Sequence, residues 1–339
     1  MSKNSSPVKT ERAPKPRAPR NRTLTCSPAE RTQFGGALLR LAEPQTPGQI
    51  LNRIIHQDFF TAVPNLPPAL ADLLILDPPY NLAKDYHGHP FPEKDAAGYQ
   101  TWFSRVIDLV KPCLKPDATV YVCADWRTSI LIAPLLERHF HVRNRITWER
   151  EKGRGAGANW KNNTEDIWFC TTGRRYTFQV DSVKLKRKVI APYRHADGRP
   201  KDWDEGKDGN FRLTHPSNIW TDLTVPFWSM PENTDHPAQK PEKLIAKLVL
   251  ASSKPGDVVF DPFLGSGTTA VVCKKLNRSF VGIEQNLEYC CWTMMRLDRT
   301  QANGAIQGYA DGVFWDRNCL ADQKTTRRKA RPSSPGLSA

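Results

Sequence analysis

The chain has 339 residues, of which 39% are hydrophobic, and this length can bury one large α/β domain with a substantial insert. No apolar run is long enough to span a membrane and no apolar leader follows the N-terminus, so we expect a protein of the cytoplasm. The eight cysteines form no CxxC pair and the eight histidines show no metal-ligand spacing, which argues against a disulfide framework and against a bound metal.

The net charge of +14 is unevenly placed along the chain. Residues 143–201 hold fifteen Lys and Arg against six Asp and Glu, residues 1–25 hold seven against one, and residues 321–339 hold five against one. Segments this basic indicate surfaces that meet a polyanion. Both ends are also poor in apolar residues, so 1–25 and 320–339 are expected to be disordered basic tails. For the tails alone, a role in solubility is an equally good interpretation.

Between the tails, strand and helix patterns alternate. Ala71 to Asp77 is an apolar run that ends in an acid, which is typical of a buried parallel strand. Further strands are predicted at 118–123, 142–148, 166–171, 257–261 and 279–284, and helices at 100–113, up to 136, from 241, at 268–276 and at 287–297. The alternation predicts a doubly wound, mostly parallel sheet. Residues 184–235 are rich in Pro, Gly and Trp and are expected to form loops and short elements.

A glycine loop joins the strand at 257–261 to the next helix. Gly265 and Gly267 permit a tight turn and a close approach of the backbone to a ligand. Glu284 ends the following strand, where a carboxylate can accept hydrogen bonds from two ribose hydroxyls. The same glycines also satisfy a dinucleotide fingerprint, so a NAD-dependent oxidoreductase is an alternative at this point, as is a turn without a ligand.

A second loop, Asp77-Pro-Pro-Tyr80, directly follows the first buried strand. Two consecutive prolines fix φ and remove two amide donors, so the loop is stiff. Asp77 is then a fixed acceptor, Pro78 supplies a fixed carbonyl, and Tyr80 presents an aromatic face. A rigid proline turn without a function is the alternative interpretation.

These groups suit methyl transfer to an exocyclic amine of a base. Such an amine is a poor nucleophile because its lone pair is delocalised into the ring. Two acceptors on its N–H bonds favour a tetrahedral nitrogen and stabilise the positive charge that develops on it. The base must leave the duplex to reach the loop, and an aromatic ring can replace its lost stacking.

The order of the two loops resembles that of the β group of site-specific DNA amino-methyltransferases. In that family an Asp/Ser-Pro-Pro-Tyr motif precedes a Phe-x-Gly-x-Gly cofactor loop, and here Asp77 to Tyr80 precedes Phe263 to Gly267. Other segments that resemble family motifs are Ile55 to Asp58, Trp148 to Phe169 and His236 to Pro241. The resemblance covers about residues 50–300.

The resemblance implies the class I S-adenosylmethionine-dependent methyltransferase fold in circularly permuted motif order. We expect a mixed, mostly parallel seven-stranded sheet with helices on both faces. The implied reaction transfers a methyl group from S-adenosylmethionine, without a metal, to adenine N6 or cytosine N4 of a flipped base in double-stranded DNA. In the family an acid in first position is commoner among adenine enzymes, so Asp77 favours adenine.

The resemblance also implies the site residues. The catalytic residues are Asp77, Pro78, Pro79 and Tyr80. The residues expected to bind the cofactor are Asp58, His236, Gln239, Lys240, Pro241, Asp261, Pro262, Phe263, Gly265, Ser266, Gly267, Thr268 and Glu284.

Residues 150–235 are expected to be a DNA target-recognition region inserted in the catalytic domain, and recognition itself is expected to reside in about residues 150–228. Basic residues with interleaved aromatics suit phosphate and base contacts. The residues expected to contact DNA are Arg150, Lys152, Arg154, Lys161, Lys184, Lys186, Arg187 and Lys188. A cognate restriction endonuclease is a further candidate partner. A non-catalytic DNA-binding protein and an RNA methyltransferase are the remaining alternatives.

Overall fold

The structure, a computed structural model, describes residues 18–150, 157–190, 192–206 and 209–317. The helices, α1 to α8 in chain order, are Pro28–Gly35, Pro47–Ile50, Phe59–Ala62, Ala96–Val110, Trp126–His139, Glu242–Ser252, Thr268–Lys275 and Leu287–Arg299. The strands, β1 to β15, are Arg53–His56, Ala71–Leu76, Lys84–Asp85, Pro90–Phe91, Leu114–Ala124, His141–Glu149, Thr164–Thr171, Leu185–Lys188, Asp204–Gly206, Gly209–Thr214, Ile219–Trp220, Val258–Asp261, Ser279–Glu284, Tyr309–Ala310 and Val313–Trp315. The strands and helices predicted between residues 71 and 297 are all present, with ends that differ by a few residues.

Eight strands form the main sheet, in the order β1-β13-β12-β2-β5-β7-β6-β11. Neighbouring strands are parallel except at β7, which runs antiparallel to both β5 and β6. This confirms the predicted mixed, mostly parallel sheet. The seven expected strands are joined at one edge by an eighth, the two-residue strand β11, which comes from the insert and pairs with β6.

Strand β2 shows why the sheet is covered on both faces. Leu73 and Ile75 belong to the core formed with α6 and α7, whereas Leu74 and Leu76 belong to the core formed with α4 and α5. Successive side chains of a strand point to opposite faces, so a fully apolar strand needs a layer of helices on each side. The predicted helices on both faces are therefore confirmed.

Polar side chains begin the helices that follow the loops at the carboxyl edge of the sheet. Asp95, Asp125 and Asn286 each accept a hydrogen bond from an amide in the first turn of α4, α5 and α8 respectively. These bonds satisfy amides that have no partner within a helix, so they stabilise the point at which each helix starts. None of the helices in the described ranges is long and apolar enough to cross a bilayer.

A second sheet of five strands, in the order β14-β15-β8-β10-β9, combines the insert with the last described part of the chain. β15 pairs in parallel with β8, with Phe314 opposite Leu185 and Trp315 opposite Lys186. The sequence interpretation ended the catalytic domain at residue 300 and missed β14 and β15, because two- and three-residue strands carry no clear periodicity. The predicted tail at 320–339 lies outside the described residues.

The N-terminal segment contacts the loop between β11 and α6. The amide of Arg22 donates to the Trp228 carbonyl at 2.6 Å, and the amide of Leu24 donates to the Asn233 carbonyl at 3.0 Å. The Leu24 side chain is buried in a small apolar cluster with α8. The predicted tail of residues 1–25 therefore extends too far along the chain, although residues 1–17 lie outside the part that the structure describes.

Candidate active site

The carboxyl ends of β2, β12 and β13 open into one cavity of about 420 Å³. Asp77 directly follows β2, Asp261 ends β12 and Glu284 ends β13, and all three line this cavity. Parallel neighbours end at the same edge of a sheet, so motifs that are far apart in the chain meet there. The structure thus brings the Asp-Pro-Pro-Tyr loop and the glycine loop together.

A buried ammonium group holds the carboxylate of Asp77. The Nζ atom of Lys240 lies 2.8 and 2.7 Å from the two carboxylate oxygens of Asp77 and 3.1 Å from the Tyr80 hydroxyl. Burial opposes the charged form, but the carboxylates of Asp77 and Glu165 outweigh it and raise the pKa of Lys240 above its usual value. Lys240, which the resemblance assigns to the cofactor, therefore contacts the carboxylate of Asp77.

Glu165 is the second carboxylate of this cluster, and the sequence interpretation missed it. One of its oxygens lies 3.3 Å from the Lys240 Nζ, and the other lies 2.5 Å from Nη1 of Arg150. Because β7 is antiparallel to β5, the first residues of β7 lie at the carboxyl edge of the sheet. Two adjacent acids, Glu165 and Asp166, near the start of a largely apolar strand are the available signal.

Tyr80 is held by its hydroxyl group. The hydroxyl lies 3.0 Å from an oxygen of Asp77 and 3.2 Å from an oxygen of Glu165, and it can donate its proton to either. Burial, followed by the charges of these two carboxylates, raises the pKa of Tyr80 well above its usual value. The carbonyl of Pro79 accepts a hydrogen bond from the Tyr99 hydroxyl at 2.9 Å. The loop is therefore stiffened by side-chain contacts as well as by its prolines.

Two further carboxyl groups, those of the buried Asp261 and the half-buried Glu284, lie on the side of the glycine loop. Asp261 accepts from the Thr269 hydroxyl at 2.5 Å, and Glu284 accepts from the amides of Gly265 and Asn286 at 2.9 and 2.7 Å. Burial raises the pKa of both Asp261 and Glu284 to about 7. Within the described ranges neither carboxyl has a cationic side chain at ion-pair distance, so both remain available to hydroxyl groups or to a cation.

An aromatic wall completes this part of the cavity. The rings of Phe59 and Phe263 stack with centroids 4.9 Å apart, and Trp102 lines the cavity beside them. A flat apolar wall next to buried carboxyls fits S-adenosylmethionine, which has an adenine ring, ribose hydroxyls and cationic groups. Phe263, Asp261 and Glu284 can hold this cofactor, which supplies an electrophilic methyl group when bound.

Most of the residues assigned to the cofactor line the cavity. They are Asp58, His236, Gln239, Lys240, Asp261, Pro262, Phe263, Gly265, Ser266, Thr268 and Glu284. Asp58 also accepts a hydrogen bond from the Phe60 amide and begins α3. Pro241 lies at the start of α6.

The two glycines of the loop have positive φ values, 54° at Gly265 and 79° at Gly267. A Cβ atom at Gly265 would lie 3.0 Å from Nε2 of His236, and one at Gly267 would overlap the side chain of Thr293 in α8. Gly265 therefore faces the cavity wall, whereas Gly267 permits the loop to approach α8.

The loop before α6 is held by its own polar groups. Gln239 accepts from the amide and hydroxyl of Thr234 at 2.9 and 2.7 Å, and it donates to the Glu232 carbonyl at 2.7 Å. Burial lowers the pKa of His236 to about 3, so its ring is neutral, and its Nδ1 accepts from the Ala238 amide. Gln239 and His236 therefore shape the cavity wall through contacts within this loop.

The basic residues in and next to β8 are largely engaged with other residues of the protein. Lys184 pairs with Asp181 at 2.7 Å and Arg187 pairs with Asp316 at 3.1 Å. The Nζ atom of Lys186 lies 4.8 and 4.4 Å from the centroids of two aromatic rings of the sheet, those of Phe211 and Trp315. Lys188 is exposed. The structure thus gives three of these four cations a partner within the protein.

The other residues expected to contact DNA are Arg150, Lys152, Arg154 and Lys161. Arg150 lines the cavity and pairs with Glu165, and Lys161 is exposed. Lys152 and Arg154 lie outside the described residues. In the described part of the chain, no group of three or more His, Cys, Asp or Glu side chains could hold a metal ion.

Fold and cavity together define a class of enzyme, the S-adenosylmethionine-dependent methyltransferases that act on an exocyclic amino group of a base in DNA. The family model for DNA methylases of the N6 and N4 type matches residues 71–295, and the chain belongs to this family.

Curated relatives agree with this assignment. The type II methyltransferase M.HpaI of Haemophilus parainfluenzae is 33% identical over 258 residues, which cover 74% of this chain and 76% of the relative. The DNA adenine methyltransferase YhdJ of Escherichia coli K12 is 31% identical over 261 residues, which cover 76% of this chain and 86% of the relative.

Solved structures show the same fold. The complex of M1.HpyAVI with S-adenosylmethionine is 25% identical, with a TM-score of 0.50, and the match covers 72% of this chain and 98% of that one. The cytosine-N4-specific PvuII DNA methyltransferase is 16% identical, with a TM-score of 0.53, and the match covers 82% of this chain and 93% of that one. The family assignment removes the oxidoreductase and the non-catalytic alternatives.

Proposed function

We propose that the chain methylates N6 of adenine at a specific sequence in double-stranded DNA. The observation that carries this proposal is the position of Asp77, which lies at the end of β2 in a cavity shared with the glycine loop. Its carboxylate and the carbonyl of Pro78 are the two acceptors of the stiff loop, and a base that has left the duplex can bring an amino group to them.

The chain's own residues prepare the amine for reaction. Asp77 and the Pro78 carbonyl accept its two N–H bonds, which turns the nitrogen lone pair out of the ring plane. The negative charge of Asp77 also stabilises the positive charge that forms on the nitrogen. The methylated nitrogen then loses one proton, for which Asp77 is the adjacent acceptor, and the neutral product base leaves the cavity.

Adenine is supported over cytosine by two independent observations. The motif begins with Asp77, and an acid in this position is commoner among the adenine enzymes that the chain resembles. The relative YhdJ, which is 31% identical over most of both chains, is named as a DNA adenine methyltransferase.

Nucleoside analysis of DNA treated with the protein and S-adenosylmethionine tests the proposal. The expected product is N6-methyladenine, confined to one sequence context when the DNA is sequenced. N4-methylcytosine as the product would overturn the choice of base.

The substitution Asp77→Ala tests the catalytic carboxylate. It should lower the rate of methyl transfer by about 10²–10³-fold, because a preorganised acceptor is lost at the reacting nitrogen. Titration calorimetry should show that S-adenosylmethionine still binds, since Asp261 and Glu284 are unchanged. A variant with nearly full turnover would contradict the assignment.

The proposal extends to the setting of the reaction. Several relatives are named as type II methyltransferases, which supports a partner restriction endonuclease with the same recognition sequence. We place this reaction in the cytoplasm, where chromosomal DNA is accessible. If such an endonuclease exists, its expression in cells that lack the methyltransferase should kill them, because their DNA is unmethylated at the shared recognition sequence.

A further inference from the structure

The ion pair between Lys240 and Asp77 lies where the target base must bind. Both side chains line the cavity, and the Nζ of Lys240 is within 2.8 Å of each carboxylate oxygen of Asp77. Lys240 is only 7% exposed. Methyl transfer to an amine needs acceptors, and a cation next to the principal acceptor has no role in the mechanism given above.

We propose that Asp77 and Lys240 together read the edge of the flipped base, with Asp77 accepting from the exocyclic amine and Lys240 donating to the adjacent ring nitrogen. This inference rests on the proposed function and deepens it, because it names the group that recognises the base. Enzymes that flip a base read it by hydrogen bonds to its Watson–Crick edge.

An acceptor beside a donor matches the amino bases and rejects the keto bases. Adenine and cytosine each present an amino donor next to a ring-nitrogen acceptor. Guanine and thymine present the reverse, a carbonyl acceptor next to a ring N–H donor. In their place a carbonyl would face the Asp77 carboxylate and an N–H would face the Lys240 ammonium. Buried polar groups that cannot be paired are costly, so the ion pair selects the class of base.

Lys240 has the donors that this role requires. An ammonium group carries three N–H bonds, and here they serve the two oxygens of Asp77 and the neighbouring Tyr80 and Glu165. When the amine takes one oxygen of Asp77, one N–H of Lys240 loses its partner and can turn to the ring nitrogen beside the amine.

The surrounding charges keep this arrangement compatible with the reaction. Two carboxylates, Asp77 and Glu165, face two cations, Lys240 and Arg150. The positive charge of Lys240 near a nitrogen that becomes positive is therefore offset by the carboxylates on either side. The same carboxylates keep Lys240 protonated, since they raise its pKa.

The test replaces the ring nitrogen and the lysine separately and together. DNA duplexes carry adenine or 1-deazaadenine at the target position, and the enzymes are the wild type and Lys240→Met. For the wild type, kcat/KM should fall by about 10- to 100-fold on 1-deazaadenine, the effect of one hydrogen bond from a charged donor. Lys240→Met should show a similar loss on adenine and little further loss on 1-deazaadenine.

Two controls separate recognition from a structural role. Lys84 also lines the cavity, so Lys84→Met should keep the full sensitivity to 1-deazaadenine. The wild type should distinguish 1-deazaadenine from 7-deazaadenine, which changes a nitrogen on another edge, and this comparison needs no variant that must fold. Calorimetry with S-adenosylmethionine checks that Lys240→Met retains its cofactor site.

Failure of this inference can be distinguished from failure of the proposed function. If adenine is methylated but the losses from Lys240→Met and 1-deazaadenine multiply, Lys240 does not contact the ring nitrogen and the inference is wrong. A wild type that is insensitive to 1-deazaadenine overturns it equally. If cytosine N4 is the product instead, the choice of adenine fails, and the same cycle with 3-deazacytosine decides whether Lys240 reads the base.

Discussion

Glu284 is a carboxyl group whose charge depends on pH near neutrality. Burial raises its pKa to about 7, and its oxygens accept from two loop amides. A carboxyl whose pKa is raised by folding contributes stability below its usual pKa, and this contribution is lost as the pH rises through 7. Cofactor binding is instead favoured at higher pH, because ribose hydroxyls donate their hydrogen bonds best to the ionised carboxylate.

We therefore expect the affinity for S-adenosylmethionine to rise with pH and to level off above about 7. Calorimetry between pH 5.5 and 8.5 measures this, with Glu284→Gln as the matched variant because it keeps an acceptor that does not titrate. The variant should bind more weakly at pH 8 and show a shallower pH dependence, with a remaining slope from Asp261, whose pKa is also about 7. Equal slopes for both proteins would remove Glu284 from the cofactor site.

Gly267 is required for packing against α8. Its φ of 79° strains any L side chain, and a Cβ atom there would overlap Thr293. Gly256 is a matched control, because its φ is 87° and a Cβ atom there meets nothing within 4 Å.

The two alanine substitutions should therefore differ in the free energy of unfolding. Gly256→Ala should cost about 1–2 kcal/mol from backbone strain alone. Gly267→Ala should cost about 1–3 kcal/mol more, because the overlap forces α8 or the loop to move. Urea unfolding of both variants measures the difference, and equal losses would show that the contact with Thr293 is unimportant.

At the scale of elements, helix α6 joins the catalytic sheet to the insert through buried charges. Lys243 and Lys247 each lie 2.6 Å from an oxygen of Asp222, which comes from the insert, and the Nζ of Lys243 also donates to the Trp315 carbonyl at 2.7 Å. Burial lowers the pKa of Lys247 to about 8. One carboxylate thus compensates two buried ammonium groups, and it does so between α6 and the insert.

Asp222→Asn should destabilise the fold by about 3–5 kcal/mol near pH 7, because two buried cations lose their counterion. The loss should shrink as the pH rises through about 8, the pKa of Lys247 in the folded protein, because a lysine that is already neutral no longer needs a counterion. Asp202→Asn is the control, since Asp202 forms an exposed pair with Arg212 that contributes at most about 1 kcal/mol. Similar midpoints of urea unfolding for the two variants would contradict this account.

At the scale of the whole molecule, the five-stranded sheet is built from two distant parts of the chain. Strand β8 of the insert pairs with β10 and with β15, which lies near the end of the described chain. A recognition segment defined from the sequence as residues 150–228 therefore omits part of its own sheet.

Exchange of segments with a related enzyme tests whether the insert and the strands β14 and β15 act together. Exchange of 150–228 alone should lower the unfolding temperature, because β15 then meets a foreign partner. Exchange of 150–228 together with 305–317 should restore stability and change the methylated sequence without changing the methylated atom. Sequencing of the modified DNA is the measurement, and retention of the original site by the double exchange would place recognition elsewhere.

Local patterns in the sequence were sufficient for the main strands and helices between residues 71 and 297 and for the two loops. Apolar runs predicted the buried strands and their order along the chain, since a strand covered on both faces has no polar alternation. Asp77, Asp261 and Glu284 could be placed at one edge of the sheet because each follows or ends a strand, and parallel strands end together.

Only the tertiary structure decided which residues complete the site and the second sheet. Glu165 reaches Lys240 because β7 is antiparallel, a direction that no local pattern encodes. The contact of Lys240 with Asp77 and the pairing of β15 with β8 depend equally on elements that are distant in sequence. Periodicity and loop chemistry are properties of neighbouring residues, so the sequence by itself determined the parts and the reaction they suit. Ion pairs and strand pairing depend on how the whole chain is folded, and these contacts determine which charges meet the substrate.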